Sequence, residues 1–168
     1  AKDTFDGMYR YYRTHLSDIG ENLMSWQQCD NGSSLIDGAT DGAMQGGDAD
    51  SATDGDLDIA YSLLLADQRW GSSEETPYRE TALAMIQDIM DYEVNQEDWL
   101  LQLGDWVHEC DPSDSYYSAT RSSDFILQYF PIFEAVTGDE RWGKLYDGTC
   151  AVIESITAEQ STGLLPDF

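Results

Sequence analysis

Basic side chains are scarce in this sequence of 168 residues, which has 8 Lys and Arg against 33 Asp and Glu and a formal net charge of −25. So few cations cannot assemble a basic patch, which argues against nucleic acids and anionic membranes as partners. An acidic surface suits a neutral or cationic substrate and keeps a protein soluble at high salt. The charge as a whole is also typical of an ordinary extracellular or halophile-like surface.

Long apolar runs are missing too, and cysteines are few. No stretch reaches the ~18 apolar residues of a membrane span, and no signal peptide is visible at an N-terminus that need not be the natural start. Cys29, Cys110 and Cys150 are too few for a disulfide scaffold, although one bridge of unknown pairing is possible. His108 and Cys110 invite a zinc site, but no Cys-x-x-Cys pair supports it, so we predict no metal there.

Helical periodicity dominates the sequence and predicts an all-α fold. Hydrophobic residues make up 41% of the chain, enough for the core of one domain of this length. The expected helices cover residues 4–16 and 55–68, a third segment from Thr76-Pro77, a fourth from Ser122 or Ser123 to Val136, and a fifth from about Arg141. Residues 29–53 are expected to form a long loop, and residues 94–118 an irregular segment with a short strand or two around 99–103.

A short internal repeat suggests how the helices are arranged. Ala-Asp-Gln-Arg-Trp-Gly (66–71) and Gly-Asp-Glu-Arg-Trp-Gly (138–143) each separate a strongly apolar helix from a more amphipathic one. Alternation of buried and amphipathic helices is what a two-layered ring of helices requires. We therefore expect Trp70 and Trp142 to be structural.

Residues 51–71 are the most informative segment. Asp54, Asp56 and Asp58 crowd the first turn of a helix that is otherwise almost wholly apolar. A helix N-terminus favours acidic side chains, but three exceed what capping needs and suggest a site. The apolar residues on every side of 59–66 predict a helix that is buried all round.

This segment closely resembles the signature of glycoside hydrolase family 8, which includes endoglucanases, lichenases, chitosanases and xylanases. Residues 5–12, 23–26, 137–142 and 162–168 are also similar to segments of that family. The resemblance implies an (α/α)6 barrel, of which five helices of ~14 residues build less than half. Residues 1–168 are then expected to be one part of a family 8 catalytic domain.

The carboxyl groups expected for catalysis are missing. Glycoside hydrolysis generally needs one carboxyl group as acid and a second as base or nucleophile, and family 8 enzymes invert. The family's acid is a glutamate in a Ser-Glu-Gly-x-Gly-like motif, which is absent here, and the usual base lies beyond the segment that resembles residues 162–168. The resemblance thus implies an internal fragment with negligible activity alone, whose exposed inner surface leads to dimerisation or poor stability.

The resemblance assigns the sugar-contacting residues. Asp54 would contact the sugar at the cleavage subsite and favour its distorted ring, the alternative being that Thr53 and Asp54 only cap the helix. From helix electrostatics, Asp56 and Asp58 are expected to cap the helix and support Asp54 from behind, with direct substrate binding by Asp56 as the alternative. Trp26 would stack on a sugar ring, or else pack in the core. Trp106 lies in a Gly-Asp-Trp turn that relatives have on the cleft side.

Residues 120–125, Thr-Arg-Ser-Ser-Asp-Phe, resemble a segment of the chitosanase and lichenase branch. Arg121 and Asp124 would then lie at the N-terminus of an inner helix and face the cleft, although Asp124 alternatively caps that helix. The acidic residues between 37 and 58 are plentiful oxygen donors for calcium. They fail the usual loop pattern counted from Asp48, because Ala52 and Thr53 occupy ligand and glycine positions.

Together these features predict a secreted, endo-acting, inverting glycosidase that cleaves β-1,4 linkages in cellulose or mixed-linkage β-glucan without a cofactor. A chitosanase of the same family is the close alternative, because an acidic surface attracts a cationic polymer. A non-catalytic carbohydrate-binding module, or a calcium-dependent interaction module, on the same helical scaffold is an alternative from another class.

Overall fold

The computed structural model describes residues 1–30, 32–38, 49–158, 162 and 164–166, and it is mainly α-helical. The helices are α1 (Lys2–Tyr12), α2 (Thr53–Trp70), α3 (Tyr78–Tyr92), α4 (Phe130–Thr137) and α5 (Arg141–Thr157). Two antiparallel hairpins pair β1 (Gln28–Asp30) with β2 (Leu35–Asp37), and β3 (Val94–Asn95) with β4 (Leu100–Leu101). The all-α prediction is confirmed, and β4 lies inside the predicted strand region.

The centre of the structure is the pair α2 and α3, which pack along their lengths. Apolar residues recur at three- and four-residue intervals on both helices, so each helix turns one stripe towards the other. The buried residues of this pair include Leu57, Ala60, Leu63, Ala82, Met85, Ile86, Ile89 and Met90. This packing fixes the position of the two helices relative to each other, and therefore the position of the loops attached to their ends.

Aromatic packing joins α4 and α5. Trp142 is fully buried, with its ring centroid 5.0 Å from that of Phe133 and 5.8 Å from that of Phe130. Trp70, at the end of α2, is partly buried and packs on Phe5 of α1 at 5.4 Å. Both tryptophans are structural, as the repeat predicted.

Two predicted helix boundaries are wrong. The first helix was expected over residues 4–16, but it ends at Tyr12, and Leu16 instead pairs with Met24 in an isolated β-bridge. The fourth was expected from Ser122 or Ser123, where the structure has only a short 3₁₀ helix, Ser122–Asp124. Pro131 lies in the first turn of α4. Because proline has no N–H and clashes with the preceding turn, one continuous helix through this position is unfavourable.

Two further expectations need correction. Residues 29–53 are not loop throughout, because Leu35 and Ile36 belong to the hairpin of β1 and β2. The α2 helix is not buried all round in the described part of the chain, since Asp58 is exposed and Leu65 is 46% exposed. An apolar groove of about 660 Å³ runs along this side, between α1 and α2.

Residues 39–48, which include part of the predicted loop, lie outside the described residues. All three cysteines are described, and no disulfide joins them, so the bridge left open by the sequence is not formed. Among the described helices, none combines the length and apolar content needed to cross a bilayer.

The packing of α2 predicts very different effects for one substitution at two positions. Leu57→Ala removes a fully buried side chain and should lower the free energy of unfolding by about 2–5 kcal/mol. Leu65→Ala changes a half-exposed side chain on the same helix and should cost less than about 1 kcal/mol. Urea unfolding of the 168-residue chain measures both, and equal losses would contradict the packing described.

Candidate functional site

A cleft of about 360 Å³ opens over the start of α2. Its lining brings together four of the six residues predicted from the sequence, Trp26, Asp54, Asp56 and Arg121. They come from three separate segments of the chain: the loop after α1, the first turn of α2, and the loop before the 3₁₀ helix Ser122–Asp124. The cleft is therefore built by tertiary packing and not by one sequence segment.

Asp54 lies in the first turn of α2 with its side chain 45% exposed. Its Oδ1 accepts a hydrogen bond from the adjacent Gly55 N–H at 2.9 Å. Thr53 turns inward and donates its hydroxyl to the Gln102 carbonyl oxygen at 2.7 Å. The N-cap residue of α2, Ala52, has no capping side chain. Asp54 bonds one N–H of the first turn and also faces Arg121 in the cleft, so capping alone does not describe its role. Its half-exposed carboxylate can also receive hydrogen bonds from a ligand.

Arg121 links Asp54 to a buried acid. Its Nη2 lies 3.8 Å from Asp54 Oδ1 and 3.5 Å from Asp124 Oδ1. Asp124 is fully buried. Burial raises the pKa of its carboxyl group to about 6, against the lowering effect of the Arg121 charge. The guanidinium group thus stands between one exposed and one buried carboxyl group.

Asp124 and Trp106 do not line the cleft. Asp124 lies behind Arg121 on a 3₁₀ helix and not at the N-terminus of an α-helix, so the predicted helix-terminal position is wrong. Trp106 is half-buried on the 3₁₀ helix Asp105–Glu109 and packs edge-on against Tyr116 at 5.6 Å. Its contact with substrate stays a prediction that this geometry does not support.

Trp26 is 56% exposed, so the alternative of core packing is wrong. Its backbone N–H donates to the Asp50 carbonyl oxygen at 2.8 Å. The preceding Ser25 pairs with Ser51 in an isolated β-bridge. These bonds attach the Trp26 segment to the residues just before α2 and hold an exposed indole ring in the wall that Asp54 shares.

Beneath the cleft lies a network of buried acids that the sequence analysis missed. Asp56, Glu93 and Asp105 are each no more than 1% exposed. Ser51 connects them, because its hydroxyl donates to Glu93 and its N–H donates to Asp105 Oδ1 at 2.8 Å. Asp56 Oδ1 accepts from the Met24 N–H at 2.9 Å and from no N–H of α2. Asp56 is therefore buried support under the cleft, and its predicted capping role is wrong.

Burial changes the acidity of this network. It raises the pKa of Asp56 to about 8 and that of Glu93 well above its usual range. One signal for Glu93 was available in the sequence, since it directly follows the apolar α3 helix. A negative charge at a helix C-terminus is unfavourable, so an acid there suggests a special environment.

Several polar atoms beside the cleft have no hydrogen-bond partner among the described residues. Three of them belong to neighbouring residues of one wall, Thr120 Oγ1, Arg121 Nε and Asp124 Oδ2. Buried polar atoms are normally satisfied by protein, water or ligand. These three atoms are buried behind the cleft, and of the three residues only Arg121 lines it.

The described residues hold no group of three or more His, Cys, Asp or Glu side chains arranged for a metal ion. Asp48, from which the calcium pattern was counted, lies outside the described residues. His108, considered for zinc, packs edge-on against Tyr92 with the ring centroids 5.4 Å apart.

The family model described as Glycosyl hydrolases family 8 matches residues 1–168. A β-glucanase of Niallia circulans is 45% identical over 170 residues, which cover 100% of this chain and 38% of that protein. An endoglucanase of Bacillus sp. strain KSM-330 is 36% identical over 171 residues, covering 100% of this chain and 33% of that protein.

The fold has a close structural counterpart. The apo structure of a β-1,3-1,4-glucanase from Paenibacillus sp. X4 superposes with a TM-score of 0.80 at 44% identity, covering 97% of this chain and 40% of that one. This likeness confirms the predicted architecture, part of an (α/α)6 barrel. The chain spans between 33% and 38% of the length of the two curated relatives.

The buried position of Asp124 predicts a pH dependence of stability. Its pKa is 3.8 when exposed and about 6 in the folded chain, so the folded state keeps a proton that the unfolded chain has lost. The resulting stabilisation is complete below pH 3.8 and is lost as the pH rises through about 6, at up to about 1.4 kcal/mol per pH unit.

Asp124→Asn removes this titration. The unfolding free energy of wild type relative to Asp124→Asn should therefore fall between about pH 4 and pH 6 and be constant above that window. Urea unfolding across this range measures the difference, with Asp3→Asn as an exposed control. Parallel curves for wild type and Asp124→Asn would contradict the shifted pKa.

Proposed function

Since the chain belongs to glycosyl hydrolase family 8, we propose that it is the sugar-contacting part of an endo-acting, inverting glycosidase that cleaves β-1,4 linkages in glucans. Residues 1–168 then form one part of the catalytic domain. The observation that carries this proposal is the cleft over α2, where an exposed indole, a carboxylate and a guanidinium group meet. Aromatic faces with a few polar groups are typical of small-molecule and sugar sites.

Each group in the cleft has a role with a pyranose ring. The indole of Trp26 offers an apolar face to the C–H side of the sugar. Asp54 accepts hydrogen bonds from sugar hydroxyl groups, and Arg121 donates to their oxygens and holds the Asp54 side chain in place. A ring gripped on one face and at its hydroxyl groups can be held in the distorted shape that precedes glycosidic cleavage.

Proton transfer is assigned to neither cleft carboxylate. Asp56 is buried beneath the floor, and Asp54 is paired with Arg121 and serves as the sugar contact. The Ser-Glu-Gly-x-Gly-like motif of the family's general acid is absent from these 168 residues. We therefore assign the general acid and base to sequence outside this segment and expect the segment alone to be inactive.

The substrate we propose is cellulose or mixed-linkage β-glucan. The relatives named above are a β-glucanase, an endoglucanase and a β-1,3-1,4-glucanase, which supports a neutral glucan. Chitosan carries ammonium groups, and the Arg121 charge in the cleft disfavours a cation beside it. Asp54 in the same cleft and the acidic surface as a whole would attract chitosan, so the charges do not decide, and the choice of a neutral glucan rests on the relatives.

A glucan polymer is too large to enter a cell, so we propose that the protein acts outside it, as a secreted enzyme. The net charge of −25 fits a protein that must stay soluble in that setting.

The test is hydrolysis by the product of the open reading frame that encodes this chain, expressed in full. Asp54→Asn should lower kcat/KM on barley β-glucan by about 100-fold, because it weakens hydrogen bonds that tighten as the sugar distorts. Glu80→Gln, which changes an exposed acid on α3, should change it less than about threefold. Reducing-sugar release measures all three proteins.

Carboxymethylcellulose and chitosan complete the substrate panel. Activity on a glucan that survives Asp54→Asn would remove Asp54 from the proposed site. Folded protein that hydrolyses none of the three polymers would overturn the enzyme proposal and favour a non-catalytic carbohydrate-binding module.

A further inference from the structure

Two buried carboxyl groups, that of Asp56 on α2 and that of Glu93 at the end of α3, lie within hydrogen-bond reach of each other beneath the cleft. Asp56 Oδ1 accepts from the Met24 N–H at 2.9 Å, and Glu93 Oε1 accepts from the Ser51 hydroxyl. The remaining oxygens, Asp56 Oδ2 and Glu93 Oε2, are buried and receive no hydrogen from any described donor. Each carboxyl group is therefore half satisfied.

A single shared proton resolves this arrangement. Two ionised carboxylates in contact, away from water, repel each other strongly. One proton between Oδ2 and Oε2 turns that repulsion into a hydrogen bond that satisfies both atoms. The stable form is therefore the pair with one proton.

The surroundings preserve this form. Asp105, linked through Ser51, adds a further acid to the network, and Tyr12 lies near Asp56 as a neutral hydroxyl group. Arg121 lines the same cleft but makes its ion pairs with Asp54 and Asp124. The shared proton thus compensates the negative charge of Asp56 and Glu93, as the Arg121 guanidinium group does for Asp54 and Asp124.

We infer that Asp56 and Glu93 share one proton and act as a positioning pair, which holds the segment carrying Trp26 against the start of α2. The Met24 N–H donates a hydrogen bond to Asp56. Met24 lies two residues before Trp26 in the sequence, and Asp56 lies two residues after Asp54. The Ser51 hydroxyl is bonded to Glu93, and Ser51 pairs with Ser25. The pair therefore fixes the indole relative to the carboxylate. Its effect on catalysis rests on the proposed function.

Amide substitutions test the shared proton directly. In Glu93→Gln the side-chain oxygen still accepts from Ser51 while its NH₂ donates to Asp56, and in Asp56→Asn the roles are reversed. An amide NH₂ carries two hydrogens, so each single variant leaves its second hydrogen without an acceptor. The double variant leaves at least one more, because with two amides a donor meets a donor at one contact of the pair whichever way they are turned. Both single variants should therefore keep a cooperative fold, and the double variant should be less stable than either one. Glu80→Gln, exposed on α3, is the matched control.

Three measurements on the full open-reading-frame product follow. At pH 7 the infrared difference spectrum of wild type minus Glu93→Gln should show the carbonyl stretch of a protonated carboxylic acid. On β-glucan, the double variant should raise KM about tenfold above either single variant, because the Trp26 segment loosens. Above about pH 6, where the effect of Asp124 is complete, wild type should continue to lose stability as the pH rises, whereas Glu93→Gln should not, since the amide removes the need for a proton.

The sign of this pH effect follows from burial. Burial raises the pKa at which the folded pair loses its shared proton above the 3.8 of an exposed Asp, so the stabilisation is complete below pH 3.8 and is lost as the pH rises through that raised pKa. Absence of the infrared band, failure of either single variant to fold, or a double variant no worse than the single ones would overturn the inference. If wild type is inactive, the proposed function fails, while the infrared and stability measurements still decide on the pair.

Discussion

Burial of acidic groups beneath the cleft is the constraint on which the rest of the site depends. A carboxyl group removed from water costs several kcal/mol unless donors or a proton compensate it. Asp105 receives hydrogen bonds from the Gly20 and Ser51 N–H groups and from the Ser17 hydroxyl. Those donors belong to loops that bury little apolar surface. The hydrogen bonds to Asp105 therefore hold these loops in position.

Close approach of two backbones follows from that requirement. At Gly104, a Cβ atom would lie 2.3 Å from the Ser51 carbonyl oxygen, so a larger residue is excluded there. This contact brings Asp105 to Ser51 and closes the network under α2. The exposed groups above it, Trp26 and Asp54, are thereby held by bonds to the backbone and to buried side chains. Rigid support of this kind is what a binding site needs to act on sugar geometry.

The sequence predicted what local rules determine. The apolar period placed α2, α3 and α5, and the crowded acids before Ile59 indicated the cleft, because three carboxylates exceed the needs of one helix terminus. Proline chemistry was present but overlooked at Pro131, which limits α4. The partners Glu93 and Asp105 could not be predicted, because their bonds to Ser51 join residues far apart in sequence. Asp56 was misjudged for the same reason, since only tertiary packing distinguishes a buried acid from a capping one.

The most direct test of the account is a crystal structure of the full open-reading-frame product with a mixed-linkage glucan oligosaccharide. The account predicts a pyranose ring stacked on the indole of Trp26, with hydroxyl groups within hydrogen-bond distance of the Asp54 carboxylate and the Arg121 guanidinium group. A sugar bound elsewhere, with the face of Trp26 uncovered, would contradict it.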